Sequence, residues 1–323
     1  MAYSGTTIQA NDLDARLVML TNMLDEKTTL ASITGNMRAN PALVQATGEA
    51  KTVKIATATT QGLGNYSEVN GHPLGTASLK WQTYELTHNR SRGFNLDDID
   101  IMQDGGLVSA ATLMSNFMTA NVVPEIDATR LAGVAARVKT LAGATVDGSE
   151  GYVAAAAPTK SNIFSAVKAG LDTILDRYHA TSGVTIYVNA AYKNILEMSS
   201  EFSRSKDISA PASGLSAAVT SIEGNPVVWA PSAYMYSALY FNDGITTGQE
   251  AGGFEAASAA LPLVFEMVAP DTAQGVVSYE KSKYIPSANR DGYDADFISY
   301  HIYHDLILTD TKAEGCYVYA VSA

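Results

Sequence analysis

Cysteine is almost absent from this sequence, and a surplus of basic residues is missing altogether. The single cysteine, Cys316, excludes an internal disulfide and any zinc site that needs several cysteines. It stands on a predicted apolar strand, which favours an inert core residue over a nucleophile. The chain has 21 Lys and Arg against 33 Asp and Glu, a formal net charge of −12. This charge argues against a protein that binds nucleic acid by neutralising phosphates.

Long apolar runs are lacking too. Residues 105–124 and 224–242 contain no charge, but each carries too many polar residues or prolines to span a bilayer. The opening residues, 1–5, show no basic stretch followed by an apolar one, so no signal peptide is predicted. Hydrophobic residues make up 46% of the chain, enough to form a core. The sequence therefore predicts a soluble, intracellular-type chain without a membrane partner.

No motif indicates catalysis, a cofactor or a metal. The acidic run 97–104 resembles a calcium-binding EF-hand loop, but counted from Asp98 the ligand positions 5 and 12 fall on Met102 and Ser109. His301 and His304 are three apart on a predicted strand, so they point to opposite faces and cannot share a metal ion. Nucleophile elbows, P-loops and complete dinucleotide loops are absent from the sequence. We expect a protein that is not an enzyme and uses no cofactor.

The residues near the N-terminus predict a short amphipathic helix over 11–25. Leu13, Leu17 and Leu20 fall at helical spacing on one face, with polar residues elsewhere. One short helix cannot bury such a stripe by itself. This part of the chain is therefore predicted to be an arm that needs a partner surface, and the three leucines are candidate contacts.

A β pattern follows and predicts a long hairpin. Residues 51–60 and 77–89 alternate between apolar and polar, and residues 61–76 between them are rich in turn formers. Thirteen extended residues would reach about 43 Å. Because an isolated two-stranded ribbon is marginal in water, we expect something outside the hairpin to stabilise it. Leu79 and Trp81, on one face of the second strand, are the candidate contacts.

The rest of the chain predicts a mixture of helices and short strands. The predicted helices are a long one that is kinked or split at Pro124 (residues 107–141) and another over 163–178, ended by Gly183. The predicted strands are 184–188, 226–229 and a C-terminal hairpin of 298–308 with 316–321. Asn189 is expected to cap a further helix, and residues 143–158 and 249–260 are predicted to be loops.

Several segments, in this order, resemble the major capsid proteins of tailed bacteriophages with the HK97 fold: 81–100, 116–130, 162–172 with 184–188, 224–228 and 294–305. Their order is more specific than any one of them. That fold is α+β, with an N-terminal arm, an extended β-hairpin called the E-loop, a peripheral domain with a long spine helix, and a mixed α/β axial domain. The resemblance implies an arm at 1–45, an E-loop at 46–90, a peripheral domain at 91–141 with return strands at 276–323, and an axial domain at 142–275.

The function that this resemblance implies is structural. The chain would assemble with itself into pentamers and hexamers of an icosahedral shell that encloses double-stranded DNA without sequence-specific binding. Its location would be the virion capsid, assembled in the bacterial host cytoplasm. Portal and decoration proteins would be further partners. Because little chain precedes the hairpin, a separate scaffolding protein is also implied.

Some relatives form isopeptide bonds between subunits, and we do not assign this property to the chain. Two alternative functions also stay open. Lys51, Lys54 or Lys80 could supply the amine of an inter-subunit isopeptide bond, but residues 293–297 offer aspartates where the acceptor asparagine would be expected. The first alternative is an encapsulin-like nanocompartment shell, which particle contents would distinguish. The second is an α/β enzyme or binding protein with an uncharacterised pocket, which a stable monomer would favour.

Overall fold

The computed structural model describes residues 32–39, 44–46, 51–69, 71–97, 110–180, 182–199 and 221–322. The helix predicted over 11–25, with Leu13, Leu17 and Leu20, lies outside the described residues. So does most of the acidic run after Asp97.

The described chain is α+β. Its strands are β1 Val44–Ala46, β2 Thr52–Thr60, β3 Ala77–Glu85, β4 His88–Asp97, β5 Tyr152–Ala155, β6 Thr185–Asn189, β7 Ser221–Ile222, β8 Asn225–Ala230, β9 Leu239–Phe241, β10 Phe254–Ala256, β11 Leu263–Val268, β12 Gln274–Ile285, β13 Ala295–Ile307 and β14 Cys316–Val321. Its helices are α1 Ala110–Phe117, α2 Val123–Ala142, α3 Ile163–Tyr178, α4 Lys193–Glu197 and α5 Asp310–Ala313. A π-helical segment, Met118–Val122, joins α1 to α2 without a break.

The long helix around Pro124 is confirmed, and it runs through the proline instead of splitting there. Proline has no N–H to donate to the carbonyl four residues earlier, and its ring crowds that carbonyl. The π-helical segment lies just before it, and the Val123 amide donates to the Met118 carbonyl, five residues back. One widened turn thus accommodates the proline and keeps the helix continuous.

One face of a three-stranded antiparallel sheet, in the order β12-β13-β4, packs on this helix. Met114 and Met118 belong to one buried cluster with Ile298, Tyr300 and Ile302, which alternate along β13 as the sequence predicted. The sequence patterns did not predict two strands of this sheet, β12 and β4, and the first residues of β4 fall at the end of the strand predicted over 77–89. The chain leaves the hairpin at the buried Leu86 and enters a different sheet. A register shift between Val277 and Tyr279 interrupts the alternation of β12.

A six-stranded sheet, in the order β5-β14-β11-β6-β8-β7, forms the larger core. Helix α3 packs on one face, through residues such as Val167 and Ile174, and α2 packs on the other, through residues such as Leu131 and Val138. The predicted strands β6 and β8 are confirmed, and they pair in parallel. Asn189 caps the following turn, as predicted, by accepting a hydrogen bond from the Ala191 amide at 3.0 Å.

The predicted C-terminal hairpin is wrong in its pairing. Both strands exist, but β13 pairs with β12 and β4, whereas β14 pairs with β11 and β5. Cys316 to Ala320 are all buried, so β14 is a central strand that needs neighbours on both edges. Helix α5 and the following turn carry the chain from one sheet to the other. Alternation predicted each strand and could not specify its partner.

Three smaller predictions also need correction. The loop expected over 143–158 contains β5, where Tyr152 and Val153 are buried, and the loop expected over 249–260 contains β10, which pairs with β9. Helix α3 ends at Tyr178 and not at Gly183. His179 takes a left-handed conformation with φ 58° there, and its amide donates to the Leu175 carbonyl.

Residues 32–39, here called the strap, cross the long helix. The Asp127 carboxylate accepts hydrogen bonds from the Ser32 hydroxyl, the Ile33 amide, and the amide and hydroxyl of Thr34. At the other end of the strap, the Ala39 amide donates to the Gly275 carbonyl at 3.1 Å. A Cβ at Gly275 would lie 2.8 Å from a strap carbonyl, so only glycine lets the strap approach this closely.

Candidate functional site

The ribbon formed by β2 and β3 is largely uncovered, with Val53 and Ile55 as the buried residues among those whose burial is described. Nine residue pairs join the strands, from Thr52 opposite Glu85 to Thr60 opposite Ala77. Nine residues of antiparallel strand span about 30 Å, so the ribbon is shorter than the 43 Å expected from sequence. The hairpin itself is confirmed, and β1 covers only part of the outer edge of β2.

The base of the ribbon is anchored to the body by one of its two faces. Val53 and Ile55 are buried in a cluster with Leu86, Val276 and Ile307. Beyond Ile55 this contact ends, and every residue of β3 except the half-buried Tyr84 is exposed. The hairpin therefore projects from the protein as a two-stranded ribbon.

The opposite face of the ribbon carries the two predicted contact residues. Trp81 lies across from Ala56 and Leu79 across from Ala58, so both large side chains face small ones. Leu79 is 65% exposed and Trp81 is 52% exposed. Because Ala56 and Ala58 are small, they cover little of Trp81 and Leu79, and most of the apolar surface of both side chains is exposed to water. The structure thus brings Leu79 and Trp81 together on one uncovered face; their contact with another subunit stays a prediction.

The tip of the hairpin, residues 61–76, exposes apolar side chains even more completely. Leu63 and Leu74 are as exposed as in an extended chain, at 108% and 102%, and Val69 is 91% exposed. The contacts among the described residues of the tip are few and local. Ser67 and Gly71 exchange two amide–carbonyl hydrogen bonds, and the Val69 amide donates to the Ser67 hydroxyl. The Gln61 amide donates to the Thr76 carbonyl, the Gln61 side chain accepts from the Thr76 amide, and the Tyr66 ring contacts His72. The tip thus has little of its own to pack against.

The charges at the base of the ribbon add little stability. Lys51 and Glu85 form an ion pair, and the hydrogen bond to this carboxylate raises the pKa of Lys51. Both side chains are largely exposed, and such surface pairs are weak. The ribbon is therefore oriented chiefly by the apolar contact at its base.

Cys316, His301 and His304 do not come together in a catalytic or metal-binding site. Cys316 is fully buried, and burial raises its pKa to about 12, so it stays a thiol at neutral pH. His304 is buried, and burial lowers its pKa to about 3, whereas His301 lies on the other face beside Asn89. Among the described residues, no three His, Cys, Asp or Glu side chains could hold one ion, and no helix could cross a membrane.

Sequence reasoning missed the most exposed residues of this site. The turn-forming residues of 61–76 predict a hairpin tip, but they do not predict which of its side chains are exposed. Leu63, Tyr66, Val69 and Leu74 fall in no periodic pattern, so periodicity could not single them out. Only the composition of the segment could have indicated them, because these large apolar residues stand among turn-forming and polar residues.

No family model and no curated protein matches the sequence. Solved structures match its fold over most of its length. A structure from Mycobacterium phage Che8 is 16% identical, with a TM-score of 0.58 over 89% of this chain and 90% of that one. The capsid structure of cyanophage P-SCSP1u is 10% identical, with a TM-score of 0.60 over 90% and 88%. The mature capsid asymmetric unit of bacteriophage PhiM1 is 11% identical, with a TM-score of 0.57 over 84% and 82%. The α+β, HK97-like fold expected from the sequence is confirmed.

Proposed function

We propose that this chain is a structural major capsid protein and not an enzyme. In this proposal its copies assemble into pentamers and hexamers of an icosahedral shell around double-stranded DNA, in the virion. The carrying observation is the projecting ribbon: Leu79, Trp81 and the tip expose apolar surface that the described chain does not cover. Large exposed apolar patches mark protein interfaces, and the fold is the one that phage capsid structures share.

The partner that the ribbon fits best is a neighbouring copy of the same chain. Fully burying a large apolar side chain contributes about 1.5–3 kcal/mol. Burial of Leu63, Val69 and Leu74 against a neighbour would therefore stabilise each contact by several kcal/mol before the costs of association. A contact of this kind is repeated at every subunit of a closed shell. Moderate energies are then enough to hold the shell together.

Each domain proposed from the sequence contains helices or strands that the structure describes. The ribbon falls in the E-loop at 46–90, the long helix in the peripheral domain at 91–141, and β5 to β11 in the axial domain at 142–275. Strands β12 and β13 lie in the return segment at 276–323 apart from the first residues of β12. Strand β14, in that segment, inserts between β5 and β11. We propose that β14 ties the two domains together.

The proposed relation to DNA is enclosure without sequence-specific binding. The formal net charge of −12 repels phosphates and would keep packaged DNA mobile. Portal, decoration and separate scaffolding proteins complete the proposed set of partners, and the host cytoplasm is the proposed place of assembly.

The test is size-exclusion chromatography and negative-stain microscopy of the expressed chain, alone and with the scaffolding protein of the same genome. We expect capsomers or shells in at least one condition. A sharp monomer peak in every condition would overturn the proposal. Nuclease-protected double-stranded DNA in particles from infected cells would support a capsid, whereas an enclosed enzyme would indicate a nanocompartment.

A further inference from the structure

A cavity of about 390 Å³ opens on the face of the three-stranded sheet that also packs on α1. Phe94, Tyr300 and Ile302 line it from the strands, and Phe117 lines it from the end of α1. The ring of Phe117 meets that of Phe94 edge-on, with centroids 5.0 Å apart. The cavity lies within the size range of ligand sites and offers an aromatic surface to an apolar side chain.

The rim of the cavity is polar and well fixed. Arg90 donates to the Glu125 carboxylate at 2.5 Å and to the carbonyls of Asn242 and Gly253. This half-buried ion pair ties β4, the long helix and the 242–253 loop together around the opening. Arg92, also on the rim, donates to a carbonyl of that loop and is partly exposed. An occupant with apolar side chains beside a carboxylate would match this lining.

The chain enters the described structure close to this cavity. Ser32 is hydrogen-bonded to Asp127, two residues along α2 from Glu125 on the cavity rim. Two helical residues rise about 3 Å and a helix is about 10 Å across, so Ser32 lies within about 15 Å of the cavity. The seven steps from Asp25 to Ser32 can span about 23 Å when extended. The predicted leucine stripe is therefore tethered within reach.

We propose that the N-terminal segment docks its leucine stripe, Leu13, Leu17 and Leu20, into the cavity of its own chain. The leucines would cover the aromatic lining, and Asp12 or Asp14 beside the stripe would lie near the Arg92 guanidinium. Tethering favours the same chain over a second copy, because a short linker gives an effective concentration in the millimolar range. The inference concerns the unassembled subunit and does not depend on the proposed function.

Disulfide trapping in the full chain tests this docking. Ala120 lines the cavity and is exposed, so a Leu17→Cys, Ala120→Cys pair should form an intramolecular disulfide under copper phenanthroline oxidation. The matched control is Leu17→Cys with Ala136→Cys, which is exposed on the same helix about 24 Å away. The native Cys316 is buried and does not compete. We expect at least tenfold more monomeric disulfide in the first pair.

Equal trapping in both pairs would overturn the proposal. A predominantly dimeric disulfide would also overturn it, because it would place the segment on a second copy.

Charge variants of the N-terminal segment provide a second test. Adding three aspartates on the stripe (Leu13→Asp, Leu17→Asp, Leu20→Asp) should speed amide exchange in α1 and the π-helical segment severalfold. Adding three on the opposite face (Asn11→Asp, Ala15→Asp, Asn22→Asp) should leave it unchanged. The same exchange in both sets would contradict docking through the leucines.

Discussion

The carboxylate of Asp127 accepts two hydrogen bonds from Thr34, one from its backbone amide at 3.3 Å and one from its hydroxyl at 2.6 Å. Both residues are buried, Thr34 in the strap and Asp127 in helix α2. Arg130, one helical turn on, donates to the carbonyl and hydroxyl of the same threonine. One buried polar network therefore fixes the strap on the long helix.

Removing this carboxylate should destabilise the subunit strongly. Asp127→Ala leaves the strap amides unpaired and Arg130 buried without the opposite charge. A buried donor that loses its acceptor typically costs about 1–3 kcal/mol, and several donors lose theirs here, so the expected loss is about 3 kcal/mol. Urea unfolding of the purified subunit should show a loss of that size in the free energy of unfolding. Asp172→Ala, on an exposed face of α3, is the matched control and should stay within about 0.5 kcal/mol of the original. A loss below 1 kcal/mol at Asp127 would mean that the network contributes little.

A second buried acid predicts a dependence of stability on pH. Glu266 lies in the centre of β11 with neither carboxylate oxygen hydrogen-bonded, and burial raises its pKa well above the usual value. The folded state therefore keeps a proton that the unfolded chain loses near pH 4.5. Stability is fully present below that pH and falls as the pH rises, until the folded group ionises. The expected slope is about 1.4 kcal/mol per pH unit.

Glu266→Gln should remove this slope. Urea unfolding at pH 5, 6, 7 and 8 should show the variant gaining on the original chain as the pH rises, by about 1.4 kcal/mol per pH unit until the folded carboxyl ionises. Glu255→Gln, at an exposed position of β10, is the control and should follow the original at every pH. Parallel curves for the original chain and Glu266→Gln would show that Glu266 ionises normally in the fold.

Local periodicity and the resemblance together predicted much of this fold. The hairpin, the long helix, α3 and β6 each carry their pattern within a few residues, so the sequence alone identified them. Strand partners depend on contacts between distant residues, which explains the wrong hairpin at β13 and β14. Short strands such as β5 have too few residues to show a period.

The candidate site was predictable only in part. Leu79 and Trp81 stand out because they alternate with polar residues in a strand. The buried acids Asp127 and Glu266 could not be found, because a carboxylate in a helix or strand usually faces solvent. Their surroundings exist only once the strap and the sheet have assembled. Tertiary burial, and not local sequence, gives these residues their properties.

Trp81→Ala should impair assembly while leaving the stability of the free subunit almost unchanged. Trp81 is about half exposed and faces only Ala56 across the ribbon, so the free subunit loses little when the ring is removed. We expect its melting temperature to change by less than about 2 °C, while the yield of assembled particles falls severalfold. Lys80→Ala, the neighbouring residue on the other face, is the control and should assemble normally. A large drop in melting temperature without an assembly defect would place the ring in the subunit's own core.

The tip of the hairpin gives the last prediction, because its protection should depend on assembly. Residues 61–76 have few contacts of their own, and Leu63 and Leu74 are fully exposed, so in free subunits their amides should exchange within seconds and proteases should cleave there. In shells, a neighbour that buries these leucines should slow both processes by at least tenfold. Hydrogen exchange and limited proteolysis of the two states, run side by side, provide the measurement. The amides of α3, which is packed on the core in both states, serve as the internal reference. Equal exchange of 61–76 before and after assembly would show that the tip touches no neighbour, and the proposed role of the ribbon would fail with it.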